Sequence, residues 1–202
     1  MKKNLHLIIL ITLFCSSLIS FAQTEKGKYL IGASTTLNAG VIEHSRVVDN
    51  VSILEERITR FSVNPYAGYF IKDNLALGSE IVVSLANTKD YDYEDELRET
   101  TLAFLLFVRQ YFGAKKIKPF VHASGGVGSY KEKYTSTYSE YNYDSTLTIF
   151  NYGVSAGVGF FLNDKASIDL ELGYGRISSK TENDSKAIQN AFGLNAGFSL
   201  FF

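Results

Sequence analysis

The sequence predicts an all-β fold, an eight-stranded antiparallel up-and-down transmembrane β-barrel. Three observations predict it. An apolar segment led by positive charge opens the chain, apolar residues recur at every second position through eight later stretches, and the connections between those stretches alternate strictly between short and long.

The opening segment sets the compartment. Lys2 and Lys3 form a short positive region, followed by an apolar run from Leu5 to Ile19 that only His6, Thr12 and Cys15-Ser16-Ser17 interrupt. Ser20-Phe21-Ala22 then places small residues three before and one before a cut between Ala22 and Gln23. Residues 1–22 are therefore expected to be a secretory signal peptide, and residues 23–202 the barrel domain. A retained transmembrane helix would need ~20 apolar residues, which this core does not reach. A lipoprotein cut at Cys15 would want a small residue where Phe14 stands. Cleavage removes the only cysteine, and with it disulfides, thiol catalysis and cysteine metal sites. It also takes Lys2 and Lys3 from 20 basic residues, leaving 18 against 21 acidic ones, a net charge of −3 that excludes a generally basic nucleic-acid binder.

The strands follow in order, each with a bulky face and a small or polar one. Over 28–41, Ile31, Ala33 and Leu37 oppose Gly32, Ser34, Thr36 and Asn38. Over 57–71, Phe61, Val63, Ala67, Tyr69 and Ile71 oppose Arg60, Ser62, Asn64 and Gly68. Over 75–88, Leu77, Ile81, Val83 and Leu85 oppose Ala76, Gly78, Glu80 and Ser84. Over 99–113, Leu102, Phe104, Leu106 and Val108 oppose Thr101, Ala103 and Arg109. Over 117–132, Val121, Ala123 and Val127 oppose His122, Ser124, Gly126 and Gly128. Over 145–162, Phe150, Tyr152, Val154, Ala156, Val158 and Phe160 oppose Asn151, Ser155 and a series of glycines. Over 166–179, Ile168, Leu170, Leu172 and Tyr174 oppose Asp169, Glu171, Gly173 and Gly175. The last stretch sets Phe192, Leu194, Ala196, Phe198, Leu200 and Phe202 against Ala191, Gly193, Asn195, Gly197 and Ser199.

Short connections fall near residues 72–74, 114–116 and 163–165; long polar ones fall at 42–56, 89–98, 133–144 and 180–186. Short turns on the periplasmic side and long loops outside are the arrangement of outer-membrane barrels. A soluble barrel would also alternate, but its outer face would carry about a quarter to a third charged residues. Here the second face is mostly Gly, Ser, Asn, Ala and Thr, which suits the narrow interior of eight strands. The bulky face then meets outer-membrane lipid, and closure spares the sheet unpaired edges in hydrocarbon. Tyr29, Tyr69, Tyr111, Phe112, Tyr130, Tyr174 and Phe202, near strand ends, are the candidates for aromatic girdles at the two interfaces.

With Ala196, Phe198, Leu200 and the terminal Phe202 in alternation, the chain from about residue 28 to 202 resembles the small outer-membrane barrels of the OmpA/OmpX type, the outer membrane protein beta-barrel domain family. The resemblance rests on architecture and on the last strand rather than on an internal motif. It implies residence in the Gram-negative cell outer membrane with lipopolysaccharide around the outer loops. It also implies that the barrel-assembly machinery reads Phe198, Leu200 and Phe202 during biogenesis, and that no peptidoglycan-binding domain follows the barrel.

The inward register gathers Arg60, Glu80, Arg109, Asp169 and Glu171 with Asn64, His122, Asn151 and Asn195. Charges in so narrow a barrel must pair, so a polar network filling the lumen is expected, with a narrow porin-like channel for small solutes as the alternative. His122, Ser124 and an acidic residue could be drawn as a triad, but they point inward, away from any lipid substrate. The acidic run Asp90, Asp92, Glu94, Asp95 and Glu96 lacks the spacing and glycine of a calcium loop. Gly125-Gly126-Val127-Gly128 lies mid-strand with no helix after it, so it is no phosphate loop. No catalytic residue, metal or cofactor is expected. Tyrosines in 133–144 and the acidic run in 89–98 make adaptable contact surfaces, so a third reading is a surface adhesin holding an extracellular ligand at its long loops. The leading expectation is a non-catalytic barrel with a structural or surface-interaction role.

Overall fold

Alternation resolves into nine antiparallel strand segments and no helix among the described residues: β1 Tyr29–Thr36, β2 Gly40–Val48, β3 Val51–Lys72, β4 Leu75–Asp90, β5 Asp95–Tyr111, β6 Ile117–Ser136, β7 Tyr143–Asn163, β8 Ala166–Lys180 and β9 Lys186–Phe201. The computed structural model describes residues 24–37, 40–48, 51–113, 116–137, 142–180 and 186–202. The expected signal peptide and the cut between Ala22 and Gln23 lie outside the described residues.

The nine segments make eight staves, because β1 and β2 are successive parts of one. From β2 onward each segment pairs with the next in sequence, and β1 closes the barrel by pairing with both β9 and β3. The break in the first stave shows in its register on β3, where Ser34 faces Asn64 but Gly40 already faces Arg60. Side-chain bonds replace ladder bonds there: Thr35 Oγ1 donates to the Ser62 carbonyl at 2.6 Å, and the Thr36 amide donates to Ser62 Oγ at 3.2 Å.

Three short connections join strands at one end, and those between Lys72 and Leu75 and between Asn163 and Ala166 are tight turns. The first, between Lys72 and Leu75, uses Asn74 at φ 65°, a conformation that asparagine tolerates better than most residues. At the other end the structure corrects the sequence expectation. Two of the segments read as long loops, 42–56 and 89–98, are largely strand, and the flanks of 133–144 are strand as well; residues 181–185 of the fourth lie outside the described residues. β2 runs to Val48 and β3 starts at Val51, β4 and β5 are separated only by residues 91–94, and β6 and β7 extend to Ser136 and from Tyr143. Polar composition predicts loop because it breaks the apolar alternation; a ladder above the hydrocarbon layer needs no apolar face.

The faces follow the predicted phase. On β5, Ala103, Leu105, Phe107, Arg109 and Tyr111 are buried, whereas Leu102, Phe104 and Leu106 are 53%, 52% and 64% exposed. Comparable apolar residues stand exposed on every stave, from Ile31 and Phe61 to Leu172 and Phe198, and a contiguous band of that kind is the surface that lipid covers. Two of the expected girdle residues are corrected. Tyr111 is 1% exposed inside the barrel, and Tyr130 turns its hydroxyl to Glu99 and Glu132 on the lumen side. Both stand in the inward phase, Tyr111 at the end of β5 and Tyr130 well inside β6. Tyr29, Tyr69, Phe112 and Phe202 are exposed as expected, with Tyr29 and Tyr69 in ring contact at 5.2 Å.

Candidate functional site

The lumen is the one place where the fold brings polar chemistry together among the described residues, and it has three levels. At the short-turn end it is packed shut. Leu30, Tyr66, Phe70, Ala76, Phe107, Tyr111, Phe120, Phe161 and Phe201 form one buried cluster. Tyr111 is its centre, with ring centroids 5.4 Å from Phe120, 6.1 Å from Phe70, 6.2 Å from Phe161 and 6.4 Å from Phe201. Glycines opposite the rings make room for them: a Cβ on Gly78 would strike the Phe107 ring, and one on Gly157 the Phe120 ring. Below the cluster, Lys118 Nζ donates to Thr24 Oγ1 at 2.9 Å while lying 5.0 Å from the Phe161 ring centroid. Thr24 in turn reaches Asn74 Oδ1 at 2.5 Å, so the residues before β1 fold across the end of the barrel.

The middle level is an ionic layer built around Arg109 and Asp169. Arg109 stands 3.5 Å from Asp169 Oδ2 and 3.7 Å from Glu171 Oε2, with its guanidinium carbon 4.8 Å from the ring centres of both Tyr66 and Phe120. Asp169 accepts from Ser199 Oγ at 2.5 Å and Ser167 Oγ at 2.8 Å, and the Tyr66 hydroxyl lies 2.8 Å from Ser199 Oγ. Ser155 Oγ donates to Glu171 at 2.6 Å. His122 completes the layer: its Nδ1 accepts from Arg109 Nε at 3.1 Å, its Nε2 lies 3.8 Å from Glu80, and its ring stacks on Phe107 at 5.1 Å. That bond to Nδ1 assigns the ring proton to Nε2.

Above the ionic layer the barrel is hollow. A cavity of about 770 Å³ rises from Glu80, Arg109, His122 and Glu171 toward the hairpin end. Its walls carry Ser62, Asn64, Ser124, Asn151 and Asn195, and Arg60, Glu99, Tyr130 and Glu132 line it higher up.

Of the residues grouped by inward phase, the structure thus brings Glu80, Arg109, His122, Asp169 and Glu171 together. Asn64, Asn151 and Asn195 stand on the cavity wall. Arg60 does not join the network; it is exposed and makes no hydrogen bond or ion pair among the described residues. Sequence reasoning missed Tyr66, Ser167 and Ser199, which hold Asp169, and the aromatic cluster beneath. The same alternation, carried to the strand ends, points Tyr66, Phe70, Phe107 and Phe120 inward. Their bulk, taken alone, points to the lipid face.

The sequence profile of the outer membrane protein beta-barrel domain matches residues 7–199. The chain belongs to that family. No curated protein is similar enough to count as a relative. Among solved structures, the barrel is similar to Ail, the attachment invasion locus protein of Yersinia pestis, at a TM-score of 0.53 and 13% identity, over 88% of this chain and 99% of that one. It is also similar to the outer membrane protease OmpT of Escherichia coli, at a TM-score of 0.50 and 7% identity, over 88% of this chain and 94% of that one. Identities so low establish a shared fold. Family and fold place this barrel in the outer membrane, and the short-turn end is therefore periplasmic and the hairpin end extracellular.

Proposed function

We propose that this protein is a non-catalytic barrel that anchors a stiff set of extracellular hairpins in the outer membrane, for a structural or surface-contact role. The observation that carries the reading is the closed periplasmic half of the lumen. Nine clustered residues, an ion-paired layer above them and the Thr24 cap below leave no polar path through the barrel among the described residues. Moving an ion through such packing would strip its water without replacement, a cost of several kcal/mol. The competing channel reading needs that path. Catalysis fares no better. With Nδ1 of His122 engaged by Arg109 and Nε2 holding the proton, neither ring nitrogen is poised to deprotonate Ser124.

The outer half supports the contact role. Tyr134 and Tyr143 stack at 5.6 Å between β6 and β7, Tyr143 reaches Glu132, and Tyr134 donates to Asp95 at 2.5 Å, so neighbouring hairpins are tied together. Tyr91 and Tyr93 are displayed at the β4–β5 tip. Assembly belongs to the same proposal, with Phe198, Leu200 and Phe202 as the signal for the barrel-assembly machinery and Ala22–Gln23 as the export cut. Planar-bilayer recording tests the core of it. The wild-type barrel is expected to give no unitary conductance, while Phe70→Ala combined with Tyr111→Ala and Phe201→Ala is expected to introduce one. Steady conductance from the wild type would replace this reading with the channel.

A further inference from the structure

The wall of the barrel is interrupted on one side. Tyr29 and Phe202 exchange both backbone bonds, so the even-numbered residues of β9 turn their N–H and C=O groups toward β1. That ladder ends at the bond from the Leu37 amide to the Leu194 carbonyl. Farther out the first stave continues as β2, which pairs with β3 alone, and no rung among the described residues joins β2 to β9. Ile188, Asn190 and Phe192 therefore turn backbone groups to a side where no described strand meets them. From Ala187 to Phe192 both phases of β9 are exposed, the inward as well as the outward.

The cavity above the ionic layer passes out through this gap. Phe61, Ile188 and Phe192 point away from the lumen, yet they line the same cavity as Glu80, Glu171 and Asn195. Height places the gap at the outer leaflet. Ten residues separate Phe202 from Phe192. At ~3.3 Å each on a strand tilted ~45° they rise ~23 Å, close to the ~25 Å of the apolar band. Phe192 is 81% exposed and in ring contact with Tyr174 at 5.1 Å, which gives the gap an aromatic lip.

Inside the gap the wall is bare. Gly153, Gly175 and Ala191 lie side by side across β7, β8 and β9, with Ser155, Gly173 and Gly193 in the row below. Gly78 and Gly157 make room for rings, but a Cβ on Gly175 would meet nothing within 4 Å. Glycine within a strand that packing does not demand marks a place where another molecule approaches the backbone.

The polar end of the cavity selects the ligand's charge. Asn64 Oδ1 is buried on its wall and has no hydrogen-bond partner among the described residues, so an acceptor waits for a donor. Glu80, Asp169 and Glu171 stand in a layer whose one guanidinium is Arg109, and His122, which accepts from Arg109, adds no charge there. The layer thus carries a formal charge of −2, which a lipid surround leaves poorly compensated. A soluble cation would leave the aromatic lip unused. We infer that the cavity binds an amphiphile of the outer leaflet that carries a protonated amine. Its head lies against Glu80 and Glu171, and its chain leaves through the gap between β2 and β9 along Phe192.

The test places the full barrel in phosphatidylcholine nanodiscs, titrates it with dodecylamine and follows the amide NMR signals of Gly173 and Gly193. Both signals are expected to shift and saturate, with dodecanol and dodecyl sulfate binding at least tenfold more weakly. Gly175→Leu, which fills the bare wall without a clash, and Glu80→Gln combined with Glu171→Gln are each expected to weaken dodecylamine at least tenfold. Phe192→Ser, on the outer face, is expected to weaken it at least threefold. Mobility of unheated against boiled protein on a gel reports whether each variant has folded. Should the glutamine or leucine variant fail to fold, the comparison of the three amphiphiles on the wild type and on Phe192→Ser decides. Equal binding of dodecylamine and dodecanol would overturn the inference by removing the amine. Undiminished binding to folded Gly175→Leu would overturn it by removing the cavity, and undiminished binding to Phe192→Ser by removing the gap.

Discussion

Arg109 and Asp169 are 3% and 4% exposed, too deep for either charge to be solvated. Asp169 meets the problem with two serine hydroxyls on its oxygens, and Arg109 with two aromatic faces and the carboxylates of Asp169 and Glu171. Arg109→Leu removes the only arginine of the layer and leaves both carboxylates without a cation. Breaking one side of a buried pair costs about 3–5 kcal/mol, so urea unfolding of the barrel in lipid vesicles is expected to show a loss of that order. A loss below about 1 kcal/mol would mean that the layer is already water-filled. At the extracellular end, hydrogen bonds from Ser136 and Tyr134 hold the Asp95 carboxyl below the usual carboxylate range. A depressed folded value stabilises the hairpin at and above that range, and the contribution disappears as pH falls through the depressed value. In the Tyr134→Phe variant, an NMR titration is expected to move the Asp95 midpoint upward, part of the way back because Ser136 remains. An unmoved midpoint would show that Tyr134 does not hold the carboxylate in solution.

Strand pairing is decided at the element scale, where glycine and aromatic residues interlock. Gly157 on β7 lies against the Phe120 ring and the Leu170 carbonyl, so an added side chain has nowhere to go. Gly125 on β6 faces lipid, and a Cβ there would sit at an ordinary 3.6 Å from Tyr152. Gly157→Val is therefore expected to cost about 1–3 kcal/mol by overpacking, with Gly125→Val close to neutral. Equal effects of the two substitutions on the urea midpoint would argue that strand propensity, not ring packing, governs these positions. The extended hairpins are also an element-scale property. Removal of residues 89–98 is expected to abolish any surface contact made there while leaving the remaining barrel folded, which a cell- or matrix-binding assay combined with a gel-mobility check would read.

For the whole molecule, closure is the main stabilising fact: β1 pairs with β9 over Leu30–Thr36 and with β3 over Tyr29–Ser34, which joins the first and last staves and leaves the sheet no free edge along β1. Such a barrel is expected to resist detergent unheated and so to migrate faster than its boiled form. Identical mobility would contradict a closed barrel.

How much of this was legible in the sequence follows from the range of each constraint. Alternation with a period of two and contact with lipid act residue by residue along one strand. The outward set from Ile31 to Phe202 and the eight staves could therefore be read without any partner in view. Even the inward phase of Glu80, Arg109, His122, Asp169 and Glu171 was available in this way. What the sequence does not contain is the stagger between staves, and stagger sets the height at which an inward residue stands. It decides that Arg60 stands high in the cavity while Arg109 meets Asp169, and that Tyr111 and Phe201 meet in a plug that shuts the periplasmic half. It also decides that polar stretches above the membrane pair as ladders instead of looping. Composition along the chain determined a lipid-facing barrel; only the closed sheet, by bringing residues from distant strands to one level, decided that its lumen is shut below and open above.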